Sequence, residues 1–201
     1  MMPSIDRLRQ FVVRATALAD SGRLANMPPP ALRDAFQALV GSDDWLPEGF
    51  DQPHPAHYQQ FLLHCDPCER FCLVSFVWGP GQFTPVHDHT VWGYVGVLRG
   101  AEMSQRYLVD PEGRYIASGP AERLEPGEVQ ELSPRDGDVH KVWNAYNDRP
   151  SVSIHMYGGN IGAIRRHVYD TATGRVKQFV SGYSSAHVPN LWDRSAQIRT
   201  A

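Results

Sequence analysis

The chain has 201 residues, a formal net charge of −3, 42% hydrophobic and 20% charged residues, enough to bury a sizeable core as one unit. The slight acidity offers no electrostatic case for binding nucleic acid or an anionic membrane surface, and no apolar run approaches the roughly 20 residues that span a bilayer. The start, Met1-Met2-Pro3-Ser4-Ile5-Asp6-Arg7, lacks the charged-then-apolar order of a signal peptide, so the expected compartment is the cytoplasm.

Apolar residues Ile5, Leu8, Phe11, Val12, Ala15 and Leu18 recur at helical spacing from about residue 5 to 20, and Ser21-Gly22 can end that helix. Met27-Pro28-Pro29-Pro30 breaks the chain. A second helix is expected from Ala31 to Val40 through Leu32, Phe36, Leu39 and Val40, closed by Gly41. These helices read as a cap, residues 1–45, packed on the main body. His54 and His57 fall in a Pro-rich loop and are assigned no role. Tyr58-Gln59-Gln60-Phe61-Leu62-Leu63 resumes order as a strand or a short turn.

Cys65, Cys68 and Cys72 lie within eight positions. An odd number in an expected cytosolic chain argues against a disulfide framework. Cys65 and Cys68 have a zinc-like spacing, but no second pair with that spacing lies nearby. They are expected to be reduced, partly buried thiols beside a strand.

From about residue 69 to 157 short β-rich runs recur between turns: Phe71–Trp78, Trp92–Leu98, Met103–Val109, Gly127–Leu132, His140–Ala145 and Val152–Tyr157. This spacing predicts an antiparallel sandwich or barrel. A further hairpin is expected over Val168–Val176, and the polar C-terminus offers Leu191 and Trp192 as anchors.

The informative stretch is Pro85-Val86-His87-Asp88-His89-Thr90-Val91-Trp92-Gly93. On a strand, a spacing of two puts both imidazoles on one face, and two convergent imidazoles are half of a metal site. Gly81, His87, His89, Gly93 and Gly100 resemble the first motif of the cupins, with Gly93 where many members have a glutamate ligand. Gly137, His140 and Asn144 resemble the second, although Pro134 and Gly137 are one residue further apart than usual. The resemblance implies a single mostly β cupin domain over residues 1–201, a double-stranded β-helix, jelly-roll-like barrel with its core at residues 58–180. It also implies His140 as third ligand. Three neutral imidazoles leave a divalent ion its full charge and favour an anionic ligand such as a thiolate.

In Ser153-Ile154-His155-Met156-Tyr157 the residues Ser153, His155 and Tyr157 share one strand face, and they could form a hydroxyl–imidazole–phenol chain. With the His87-Asp88-His89-Thr90 segment and His140, this run resembles the thiol dioxygenases, the cupin family of cysteine dioxygenase. That resemblance covers roughly residues 58 to 180. It implies a mononuclear non-haem Fe(II) enzyme that adds both atoms of O2 to a small thiol, giving a sulfinic acid.

Two departures from the mammalian-type members narrow the reading. Gly93 stands where they have a cysteine cross-linked to the tyrosine, so Tyr157 has no thiol partner. Gln60 stands where they have a carboxylate-binding arginine, and an amide cannot replace a guanidinium's charge and fork. The segment Gly158 to Arg166 resembles the one that supplies an arginine in 3-mercaptopropionate dioxygenases, making Arg166 the expected carboxylate anchor and Arg165 the runner-up. Tyr157, held by His155 and Ser153, is expected to act on the bound ligands, and Gln60 and Trp78 to shape the pocket. The expected substrate is 3-mercaptopropionate or cysteine. The alternatives are a strict L-cysteine dioxygenase, a non-catalytic small-molecule-binding cupin, and a Zn or Mn cupin isomerase. No nucleic-acid or membrane partner is expected.

Overall fold

The computed structural model describes residues 5–185 and 195–200. Leu191 and Trp192, expected as anchors, lie outside the described residues. Helix α1, Asp6–Asp20, buries Leu8, Phe11, Ala15 and Ala19 along one stripe, as its apolar spacing requires. Helix α2, Pro30–Val40, begins one residue before the expected start: Pro30 takes a first-turn position, where its missing N–H costs no helical bond.

In chain order the strands are β1 (Gln59–Cys65), β2 (Cys72–Trp78), β3 (Val86–His87), β4 (Gly93–Arg99), β5 (Glu102–Val109), β6 (Tyr115–Ala117), β7 (Glu122–Leu124), β8 (Val129–Leu132), β9 (His140–Asn144), β10 (Ser151–Tyr157), β11 (Arg166–Tyr169) and β12 (Val176–Phe179). One sheet runs β1-β2-β10-β4-β8. The other runs β12-β11-β3-β9-β5-β6, with β7 also on β5. Every recorded strand pair is antiparallel. The mostly β, jelly-roll-like barrel with N-terminal helices is what the structure holds.

The strand β10 is buried along its whole length. Alternation explains this. Val152, Ile154 and Met156 join the core made with α1 and α2, whereas Tyr157 joins the inner cluster with Cys72, Val74, Phe76 and Trp78 of β2. The helices therefore cover the outer face of a sheet whose inner face lines the barrel. Gly96 of β4 lets α2 approach: a Cβ there would stand 2.9 Å from the Phe36 ring and from both Val40 methyls. The Trp92 indole N–H donates to the Leu24 carbonyl at 3.0 Å, tying the segment between the helices to the barrel.

Three expectations are corrected in detail. The β3 strand is only two residues long, so His87 and His89 do not share a continuous strand. His89 follows β3, and Thr90 behind it turns the chain with φ +61°. The C-terminal hairpin exists, but its strands extend beyond both ends of the span read from sequence, pairing Arg166 with Phe179 and Tyr169 with Val176 around a turn held by Asp170. The strands β6 and β7 were not foreseen, because Tyr115–Ala117 and Glu122–Leu124 are too short to show a period.

Candidate metal centre

The strand β3 pairs with β9 so that His87 stands directly opposite His140. His89 comes in from the loop beyond β3. The three ring centroids are 4.9 Å apart pairwise, and one nitrogen of each ring lies within 4.8 Å of the others. Among the described residues this is the one group of three or more potential metal ligands that clusters so closely. Cys65 and Cys72 are buried free thiols on paired strands and Cys68 is exposed, with no metal cluster around them. Burial pushes the Cys72 thiol up to about 11, so it stays protonated and unreactive near neutral pH.

Each imidazole is oriented by a neighbour. The His87 Nδ1–H donates to the Pro85 carbonyl at 3.0 Å, which leaves its other nitrogen a free lone pair. His140 Nδ1 meets the Ser104 hydroxyl at 3.2 Å. His89 is fixed through its backbone: its N–H and that of Thr90 donate to Asp138 Oδ2 at 2.8 and 3.2 Å. Its Nδ1, which has no hydrogen bond, sits 3.5 Å from that same oxygen. Asp88 points the other way. It accepts the His167 N–H, the His167 ring and the Tyr169 hydroxyl at 2.7, 2.8 and 2.8 Å, pinning β3 to β11. Burial lowers the His87 pKa to about 4 and holds His89 and His140 well below the usual range. All three rings are therefore neutral at pH 7 with lone pairs available. Three convergent neutral imidazoles, two of them (His87 and His140) held through their second nitrogens, fit a divalent metal ion.

Beside the cluster, His155 bridges the Ser153 hydroxyl through Nε2 and the Tyr157 hydroxyl through Nδ1, both at 2.8 Å. The Trp78 indole N–H donates to the Ser153 oxygen at 3.2 Å. Tyr157 stacks on His89 at 5.6 Å between centroids. Burial raises the Tyr157 pKa far above that of a free phenol, so it stays protonated. Gly93 lies opposite Tyr157 in the β4–β10 ladder, and a Cβ at that position would stand 3.0 Å from the Tyr157 ring.

The imidazoles and Tyr157 open on a cavity of about 260 Å³. Arg166, Gln60 and Trp78 line it too, so every site residue read from sequence except Ser153, which stands behind His155, borders this one space. Arg166 is 4% exposed. One of its terminal nitrogens donates to the Ser181 hydroxyl at 2.7 Å, its guanidinium carbon lies 4.6 Å from the Phe179 ring centroid, and its Nε is buried without a partner. Arg165 is exposed and donates outside the cavity to the Ile198 carbonyl. Tyr58, Phe179 and Ser181 also line the cavity and were not singled out from sequence. Tyr58 packs against Trp78 with ring centroids 4.9 Å apart and the planes tilted by 33°. Its place next to Gln60 was the one local signal. A larger cleft, about 420 Å³, lies between β5 and β8 and meets the cluster only at His140.

Comparison with known proteins adds the following. The profile of the family described as "Cysteine dioxygenase type I" matches residues 50–171. Cysteine dioxygenase type 1 of Danio rerio is 28% identical over 110 residues, covering 52% of this chain and 52% of that protein. The chain thus aligns with about half the length of this curated relative. Among solved structures, a double-stranded β-helix protein of Klebsiella pneumoniae matches with TM-score 0.44 at 14% identity, covering 64% of this chain and 90% of that one. A cupin-like protein of Thermotoga maritima matches with TM-score 0.41 at 18% identity, covering 69% and 84%.

Proposed function

Because the chain belongs to the cysteine dioxygenase type I family, we propose that it is a non-haem Fe(II) thiol dioxygenase that converts a small thiol carboxylic acid and O2 to the sulfinic acid, with 3-mercaptopropionate the preferred substrate. The observation that carries the reading is that three neutral imidazoles, a protonated tyrosine and a buried arginine whose Nε has no partner among the described residues face one cavity. Iron held by His87, His89 and His140 would keep its full positive charge, favour a thiolate, and supply the electron exchange with O2.

The protein's own residues do the rest. Arg166 meets the substrate carboxylate with its planar fork, held in place by Ser181 and the Phe179 ring. This anchors the sulfur at a set distance from the imidazoles, so that reaction replaces a chance encounter. Tyr157, gripped by His155, places a hydroxyl at the edge of that space and keeps its proton. Phe76, Trp78 and Tyr58 give the cavity an apolar wall that limits water. No aspartate or glutamate is among the described residues lining it, so the α-ammonium of cysteine would find no counter-ion. That favours a thiol acid lacking the amine.

The test is oxygen uptake by protein loaded anaerobically with ferrous iron. One O2 should be consumed per sulfinate formed, with kcat/KM higher for 3-mercaptopropionate than for cysteine. A higher value for cysteine would reverse the substrate assignment, and no uptake with either thiol would remove the enzymatic reading.

A further inference from the structure

Two cationic side chains border the cavity, and a thiol monoacid accounts for only one of them. Arg166, buried, takes the carboxylate. Lys177 of β12 is exposed and lines the same cavity at its rim. No aspartate or glutamate is among the described lining residues, and among the described residues none forms an ion pair or hydrogen bond with the Lys177 ammonium. Once the sulfur and one carboxylate are placed, this second positive charge is left without a counter-charge.

The ladder fixes which way Lys177 faces. Lys177 stands opposite Val168 on β11, Val168 opposite His87 on β3, and His87 opposite His140 on β9. Directly opposed residues of an antiparallel pair project from the same face of the sheet. Lys177 therefore belongs to the inward row that supplies two of the three imidazoles. With strands about 4.8 Å apart, its Cα lies about 10 Å from that of His87, so an extended lysine chain reaches toward a ligand held at the imidazoles. Arg166 belongs to the next inward row, opposite Phe179, about 7 Å along the strand from Val168. The two cations thus approach the imidazoles from different directions. A substrate carboxylate on Arg166 leaves the side of the sulfur that faces Lys177 open to a second anionic group.

We propose that Lys177 is a specificity-determining residue that receives a second carboxylate carried on the sulfur-bearing carbon of the substrate, so that the cavity takes thiol dicarboxylic acids as well as thiol monoacids. The assignment rests on the thiol-acid reading of the cavity and widens its substrate class. The ammonium is solvent-exposed, so its contact with a carboxylate is worth about twofold to fivefold in affinity rather than more, and it weakens as salt rises. Arg166, buried and forked, remains the stronger anchor.

The experiment compares 3-mercaptopropionate with mercaptosuccinate, which differs from it by one carboxylate on the sulfur-bearing carbon. Isothermal titration of metal-free protein at low ionic strength reads the carboxylate contacts without any turnover. The parent should bind mercaptosuccinate about twofold to fivefold more tightly than 3-mercaptopropionate. Lys177→Met, which keeps the stem and removes the charge, should bind the two acids equally and leave the affinity for 3-mercaptopropionate within about twofold of the parent's. Lys177→Arg should restore the preference, and high salt should erase it in the parent. Equal affinities in the parent, or a preference that survives in Lys177→Met, would overturn the proposal. Binding as expected, together with no oxygen uptake by the iron-loaded protein with either acid, would instead remove the enzymatic reading and leave Lys177 as the second anion contact.

Discussion

Arg166 holds its charge inside the barrel with Nε unpartnered, while Arg165, one residue earlier, lies exposed. A spacing argument could rank the two but not separate them, since which neighbour turns inward depends on the register of β11 against β3 and β12. Truncating Arg166 removes charged hydrogen bonds of about 1.5–3 kcal/mol each. Arg166→Ala should therefore lower kcat/KM for 3-mercaptopropionate by on the order of 10²-fold, and Arg165→Ala by less than about twofold. Steady-state oxygen uptake checks both, and equal effects would refute the choice of anchor. Gly93 is similarly informative. It lies against the Tyr157 ring, where a cysteine side chain would begin 3.0 Å away, and its lack of a thiol leaves the phenol as an unmodified donor.

The strand β10 serves two cores because α2 lies over the sheet that holds it, and the tolerance for that contact is small. At Gly96 an added methyl would meet Phe36 and Val40 at 2.9 Å. These atoms belong to a buried ring and a β-branched side chain, both slow to yield. Gly96→Ala should thus destabilise the fold by about 1–3 kcal/mol, read as a lower urea midpoint with an unchanged m value. An unchanged midpoint would mean that α2 lifts off β4 at little cost. The short β3 makes a related point about the metal site. Two residues of ladder fix His87 opposite His140, and Asp138, through two backbone N–H groups, brings His89 in from the loop.

Packing four imidazoles into one barrel carries a pH cost for the metal-free protein as a whole. In the folded state His87 is lowered to about 4 and His155 to about 3, and His89 and His140 lie well below their ordinary value, all chiefly through burial. The unfolded chain protonates these rings near 6.5. Below that pH the unfolded state binds more protons, so stability falls as pH drops from about 6.5 toward 4, by up to about 1.4 kcal/mol per pH unit for each histidine. Glu102, raised to about 7 by burial, works in the opposite direction because the folded state keeps its proton longer. Four groups outweigh one, and the Tm of metal-free protein should be clearly lower at pH 5 than at pH 7. A Tm that stays level or rises on acidification would contradict the buried, neutral state of the cluster.

The chemistry of the site was legible where it depends on short-range periodicity. The two-residue steps His87–His89 and Ser153–His155–Tyr157, and the helical stripes of residues 5–20 and 31–40, repeat at intervals the backbone itself imposes. The resemblance added His140 and Arg166. Asp138, Tyr58, Phe179 and Ser181 could not be seen that way. Each acts on a partner far away in sequence, as Asp138 does on His89 across 49 residues, through pairings that exist only once the two sheets have closed. Burial was likewise invisible in the linear order. The same alternating polar residues would face water on an open sheet. Closure of the barrel, with helices over its outer face, turns them into neutral imidazoles, a protonated phenol and a buried guanidinium around one cavity.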